Sequence, residues 1–358
     1  MSIYERHESG GGVEVKRNSS FELLRLVLMT LIVVHHSIIH GLGFTGLGLN
    51  ESASVILDSY LVPFALVIDC LCICAVNCFI LISGYFSINL RLDKFLLLSV
   101  TLFLYTLIFD TGFLISEKKW LTALASTFIF SHCKYWFVRN YIYLMLLAPV
   151  INYLFTNLNR HLINYFILIV IIISCYLGFI WDNEPNPTGY NLFQFIMIYC
   201  IGRYIKIYGL KLNRIKSFLL YFLSAIVTGI LMSIFWLYDH HWYAIKMINY
   251  NNPLVILSAI GLFLYCKTIQ LNSKFINKIA QSAFAIYLIQ SSLWCTSFYY
   301  QDIWNSQSIF GGSIILIIIP LSILVVIACI LFDQIMRPII NLSVKSLANF
   351  IGKRFHLQ

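Results

Sequence analysis

Ten apolar runs of about twenty residues, near 21–41, 68–90, 95–115, 137–156, 163–180, 192–209, 217–237, 251–267, 279–298 and 312–335, dominate this sequence and leave little between them. A helix of about 20 residues spans the ~30 Å hydrocarbon layer of a bilayer, and runs of that length have no place in a water-soluble core. Composition agrees: 60% of the 358 residues are hydrophobic and only 11% are charged, against about 25% charged in a soluble domain. The predicted fold is therefore all-α, a polytopic membrane bundle of about ten transmembrane helices. Residues 1–20 read as an N-terminal tail, 21–336 as one transmembrane domain and 337–358 as a C-terminal tail. The apolar stretch 52–66 follows a Gly-rich loop and contains Asp58 and Pro63, so it reads as an interfacial helix or re-entrant segment.

The net charge of +9 would suggest nucleic acid in a soluble protein. In a membrane protein Lys and Arg first report which side each loop faces, so no nucleic-acid partner is expected. With both termini in the cytoplasm and ten spans, 18 of the 24 basic residues fall inside, and the outer loops keep Lys118, Lys119, Lys134 and Lys246. An added or lost crossing would scramble that asymmetry. The polar opening has no cleavable apolar region, so no signal peptide is expected. Nine of the ten cysteines lie in apolar stretches, as packing residues do. Cys70, Cys74 and Cys78 share a helical face but have no His or carboxylate at ligand spacing, and the pairs His240-His241 and His132-Cys133 are equally incomplete. Metal-free chemistry is expected.

The first span carries Glu22, Arg25, His36 and His40. At 100° per residue, the eleven steps from Arg25 to His36 make three turns within about 20°, so the four form one polar stripe. His35 points roughly 100° away from His36. A rise of ~1.5 Å per residue separates Arg25 from His36 by ~16 Å. Intramembrane charge needs a partner or a polar cavity, and Asp69, Asp110 and Asp333 also lie in spans. His is the natural general base near neutral pH, while a guanidinium suits phosphate or carboxylate. A bland alternative has Arg25 snorkelling to the interface and His36 packed within the bundle.

Phe21-Glu22-Leu23-Leu24-Arg25, the pair His35-His36 and the closing His40-Gly41 resemble the opening signature of the acyltransferase-3 family of integral membrane acyltransferases, whose mark is an Arg and a His separated by ten residues. The resemblance continues in order through Asn77–Phe86, an apolar run ending in Ser-Gly-aromatic, Tyr135-Trp136-Phe137-Val138 with Pro149, Gly189-Tyr190 with Gly202, and Phe284–Ile289. It implies a polysaccharide O-acetyltransferase-like enzyme of the cell membrane. Such an enzyme moves an acyl group, most often acetyl, from cytoplasmic acyl-CoA (acetyl-CoA) to a hydroxyl of a glycan or lipid-linked sugar, among membrane lipids and without a permanently bound cofactor. His36 and Arg25 then carry the catalysis, and the donor's charged end docks near Arg25. Two positions depart from the family: Gln290 stands where many relatives have His, and Asn77 where the wider family often has Asp.

Arg91 and Lys94 resemble a basic pair that binds the donor's phosphates, although positive-inside anchoring explains them too. Ser83 lacks the elbow of an acyl-carrying serine and suits substrate contact or packing, with Gly84 allowing close helix approach. Tyr135 and Trp136 suit either sugar stacking or an interfacial belt, and Arg139 is a candidate contact for an anionic substrate. A competing class is a transporter or flippase of a polysaccharide intermediate, since an intramembrane Arg and His can also line a substrate path. No paired halves of the kind transporters carry are evident.

Overall fold

The computed structural model describes residues 4–9, 12–42, 61–131, 133–303 and 314–355. A short antiparallel hairpin, β1 (Tyr4–Ser9) and β2 (Gly12–Arg17), precedes a bundle made wholly of helices. These are α1 (Ser19–Gly41), α2 (Val62–Phe86), α3 (Leu92–Ser116), α4 (Trp120–Ser126), α5 (Trp136–Asn157), α6 (Arg160–Ile180), α7 (Leu192–Tyr208), α8 (Arg214–Leu237), α9 (His241–Lys246), α10 (Pro253–Lys267), α11 (274–290), α12 (293–303) and α13 (Ile314–Phe355). Among the described residues seven of them, α1, α2, α3, α5, α6, α8 and α13, are long and apolar enough to cross a membrane. We call the face at which α1 begins the near face and the opposite one the far face.

The ten expected spans all coincide with helices, but three are not long single helices. Two correspond to the shorter α7 and α10. The third, near 279–298, is broken: α11 stops at Gln290 and the chain restarts as α12 at Leu293, where the Ser292 side chain accepts the Cys295 N–H. Two boundaries also move. Residues 62–66, expected in a separate interfacial or re-entrant segment, are the first turns of α2, with Pro63 at a helix start where its missing N–H costs nothing; 52–60 lie outside the described residues. The boundary drawn at 336/337 falls within α13, which runs on as helix to Phe355 through Pro320 and Pro338.

α1 is central. Its N-cap Asn18 accepts the amides of Ser20 and Phe21, and Ser20 Oγ donates to Ile269 O (2.7 Å), stitching the near end of α1 to the loop after α10. Around it pack α2, α10, α11 and α13. α2 and α7 cross closely at two glycines: a Cβ on Gly84 would sit 2.2 Å from Tyr199 O, and one on Gly202 would sit 2.5 Å from Leu81 O. Small residues permit such backbone approach in membranes, where packing rather than hydrophobic exclusion drives association. Outward faces of α5, α6 and α8 are exposed and apolar, as at Val150, Leu168 and Ile230.

Overpacking a tight helix contact costs typically ~1–3 kcal/mol. Gly202→Val should lower the melting temperature of the detergent-solubilised protein, while Gly209→Ala, with nothing within 4 Å of the added carbon but a positive φ to strain, should cost less. Equal melting of Gly202→Val and wild type would contradict the close crossing.

Candidate active site

Two cavities, each of about 200 Å³, lie end to end along α1. The far cavity is lined by His35, His36 and His40, by Lys134, Tyr135 and Trp136, and by Gln290 and Tyr300. The near cavity is lined by Arg25, Ser83, Lys94, Tyr141, Asp333 and Arg337. Met29, Phe79, Phe137 and Tyr287 border both, and form an apolar waist between them. Within that waist Phe137 lies 5.5 Å from Tyr287 and 6.5 Å from Phe79, centroid to centroid.

Local geometry puts the histidines there. Immediately after His36 the helix widens to π geometry over Ser37–Gly41, a distortion common at functional sites, and the rings of His36 and His40 come within 5.2 Å. The two adjacent histidines are wired differently. His35 Nδ1 lies 2.6 Å from Asp69 Oδ1, a buried pair tying α1 to α2. His36 Nδ1 lies 2.7 Å from Gln290 Oε1, which also accepts the Tyr300 hydroxyl at 3.0 Å. An amide oxygen has only lone pairs to offer, so Nδ1 of His36 carries the proton and donates. In the neutral imidazole Nε2 is then the unprotonated nitrogen, the one able to accept a proton. Gln290 Nε2 donates to Ser291 Oγ (2.6 Å), which fixes the amide in turn.

Asp110 organises the break that presents Gln290. It is buried in a π-widened stretch of α3, and its Oδ1 accepts both Lys134 Nζ and the Leu293 N–H at 2.8 Å, while its Oδ2 accepts the Tyr135 hydroxyl. The carboxylate thus holds the first amide of α12, the loop before α5 and the cavity wall together, as an anion at a helix N-terminus is well placed to do.

At the near cavity Arg25 Nη1 donates to Glu22 Oε2 at 3.0 Å, with Glu22 fully buried. Arg337, one helical turn after Asp333, donates to its Oδ2, and the Tyr105 hydroxyl donates to Oδ1 at 2.7 Å. Lys94 faces the same space. Arg25, Lys94 and Arg337 therefore give this cavity three cationic side chains against the carboxylate of Asp333.

Arg25, Lys94 and Ser83 line the near cavity, and His36, His40, Tyr135 and Trp136 the far one. Ser83 Oγ donates to Phe79 O at 3.0 Å, the back-bond of a membrane-helix serine. Glu22 acts through Arg25. Arg91 is exposed, forks onto Asp93 at 2.9 and 3.0 Å and lines neither cavity. Arg139 is exposed on α5, also away from both. Asn77 lies in a buried polar network: its Nδ2 donates to Tyr250 O (2.8 Å) and its Oδ1 accepts from Gln194 Nε2 (3.2 Å). That network orients Tyr250, whose ring stacks on Trp136 at 5.5 Å. Gln290, Tyr300, Asp110 and Arg337 were not singled out as site residues from the sequence. Only Gln290 carried a signal, as the departure from the family's His.

The model of the acyltransferase-3 family, an acyltransferase domain, matches residues 18–333, from the cap of α1 to the buried Asp333. The chain belongs to this family. No curated protein and no solved structure matches it. For a membrane acyltransferase, the arrangement supplies an uncharged base nitrogen in one cavity and cationic side chains in the other, with a narrow apolar connection.

Gln290 should matter through its oxygen. Gln290→Met keeps the volume but leaves His36 Nδ1 without an acceptor, so acyl transfer should fall by about 10²-fold through kcat, the scale of losing reactive geometry, with the donor KM nearly unchanged. Gln290→Glu retains an oxygen and should keep more activity than Gln290→Met. Equal kcat in Gln290→Met and wild type would remove Gln290 from the site.

Proposed function

We propose that this acyltransferase moves an acetyl group from cytoplasmic acetyl-CoA, through the bundle, to a hydroxyl of a cell-surface or envelope glycan in the cell membrane. The near face is cytoplasmic on this reading and carries both termini, because the basic loops cluster there. The observation that carries it is the pair of cavities meeting at the Met29, Phe79, Phe137 and Tyr287 waist, cationic on the near side and histidine-lined on the far side.

The phosphates of the donor meet Arg25, Lys94 and Arg337, and its slender pantetheine arm is the part able to pass the waist. Arg25 suits phosphate because its guanidinium donates as a fork and stays charged, and Glu22 holds it in place. In the far cavity the acceptor hydroxyl gives its proton to His36 Nε2 as its oxygen attacks the thioester carbonyl. The new C–O bond forms, the C–S bond breaks, and the imidazolium returns the proton to the departing thiolate, restoring His36. Gln290 keeps Nδ1–H in place throughout. The rings of Trp136 and Tyr250 form an aromatic wall of the kind that stacks on sugar faces.

General-base assistance is typically worth ~10²–10⁴ in rate. His36→Ala should therefore lose acetyl transfer on that scale in membranes, normalised to folded protein, while binding acetyl-CoA nearly as wild type. Arg25→Ala should raise the donor KM, and Arg25→Lys should rescue only in part, because an ammonium cannot reproduce the fork. Near-wild-type transfer by His36→Ala would defeat the mechanism.

A further inference from the structure

The proposed acetyl transfer requires a route by which the acceptor reaches His36. A third space, about 500 Å³ and almost wholly apolar, opens on the outside of the bundle between α3 and α12. Its walls are Ile108 and Phe109 on one side and Trp294, Cys295, Phe298 and Tyr299 on the other. Phe298 is 60% exposed. Phe109 lies seventeen residues into α3 from Leu92, about 25 Å from the near face, which is the depth of the far leaflet.

Two features set this crevice apart from the other outward faces. First, α12 is a shared wall: Trp294, Phe298 and Tyr299 face the crevice, whereas Thr296 and Tyr300 of the same helix line the cavity of His36. Second, one end of it adjoins an ion pair that reaches the cavity of His36. Asp110 follows Phe109 in α3 and Leu293 precedes Trp294, and the Lys134 ammonium is bound at that junction, 2.8 Å from Asp110 Oδ1. Asp110 is 1% exposed and its charge is shared among Lys134, the Leu293 amide and the Tyr135 hydroxyl. The Lys134 side chain stays 35% exposed and lines the His36 cavity, so its ammonium keeps N–H donors for a second anion.

We infer that the acceptor is a lipid-linked sugar, joined through phosphate to a long apolar chain, that enters sideways from the far leaflet: chain in the α3–α12 crevice, phosphate on Lys134, sugar against His36. An apolar slot that adjoins the Asp110–Lys134 pair, whose ammonium lines the reactive cavity, matches that amphiphile in order. A neutral lipid would leave Lys134 unused, and a polymer without a lipid tail would leave the crevice unused. This inference rests on the acetyl-transfer reading for the sugar's position, while the crevice and Lys134 are tested by binding alone.

The test uses the full chain in nanodiscs of zwitterionic lipid with a photoreactive farnesyl phosphate and the matching photoreactive farnesol, mapping the labelled peptides. The phosphate probe should label segments 108–109 and 294–299 about tenfold more than the alcohol. Unlabelled farnesyl phosphate should compete, and inorganic phosphate should not. Lys134→Gln should reduce the phosphate probe to the level of the alcohol, and Lys134→Arg should retain most labelling. Phe298→Glu, at an exposed position that leaves the Asp110 junction intact, should reduce labelling by both probes, which covers the case of a misfolded Lys134→Gln. Equal labelling by the two probes, labelling indifferent to Lys134, or competition by a soluble anionic oligosaccharide lacking a lipid tail would overturn the inference. Because the readout is binding, its failure alongside a normal His36→Ala loss would remove the lipid-linked acceptor and leave acetyl transfer standing.

Discussion

A charged or strongly polar group inside a bilayer is stable only when another group of the protein answers it, and the architecture of this bundle follows from how its few such groups are answered. Glu22 holds Arg25, Asp69 holds His35, Asp333 holds Arg337 and Tyr105, and Asp110 holds Lys134, Tyr135 and the first amide of α12. Removing one partner of a buried pair costs ~3–5 kcal/mol. The contacts of Asp69 with His35, of Asp333 with Tyr105 and of Asp110 with the segments before α5 and α12 fix which elements are neighbours, and all of these contacts set where reactive groups sit. His36 is the exception that makes chemistry available, since its partner is a neutral amide and its second nitrogen is uncommitted.

Much of this was legible along the chain because membrane burial leaves a coarse signal. Apolar runs of bilayer length located helices at all ten expected spans, seven of them, among the described residues, long and apolar enough to cross a membrane, and a count of eleven residues put Arg25 and His36 on one stripe. Pairs between helices were not legible. Asp69 and His35 are 34 residues apart, and Asp110 and Leu293 are 183 apart. No periodicity within one helix encodes such contacts. The break at Gln290 was hidden because Ser291 and Ser292 interrupt an apolar run without a proline or glycine. The π-widened turns after His36 and around Asp110 were hidden for a related reason: a single added residue per turn changes the facing of side chains without changing composition. The basic residues near the near face could not be sorted either, since Arg91 folds onto Asp93 while Arg337, in the last helix and more than two hundred residues beyond Lys94, shares the cavity of Arg25.

The waist gives the bundle its logic as an acyltransferase. On the proposed reading the thioester donor is bulky and highly charged at one end and slender at the other, so a cationic chamber joined to a histidine-lined chamber by the four side chains of the waist would admit the reactive end and hold the rest back. An apolar passage of this kind would also keep water from the thioester on that reading. Packing at Gly84 and Gly202 keeps α2 and α7 rigid beside the waist, and the Asn77 and Gln194 network holds Tyr250 and Trp136 at the acceptor side.

The central claim is that the donor threads from one cavity into the other. A cryo-electron microscopy structure of the full chain with a non-hydrolysable acetyl-CoA analogue tests it most directly. The account predicts the nucleotide beside Arg25, Lys94 and Arg337, the pantetheine arm between Phe79, Phe137 and Tyr287, and the acetyl carbonyl within hydrogen-bonding reach of the groups around His36. An analogue bound wholly on one side of the waist, or entering from the His40 end, would contradict it.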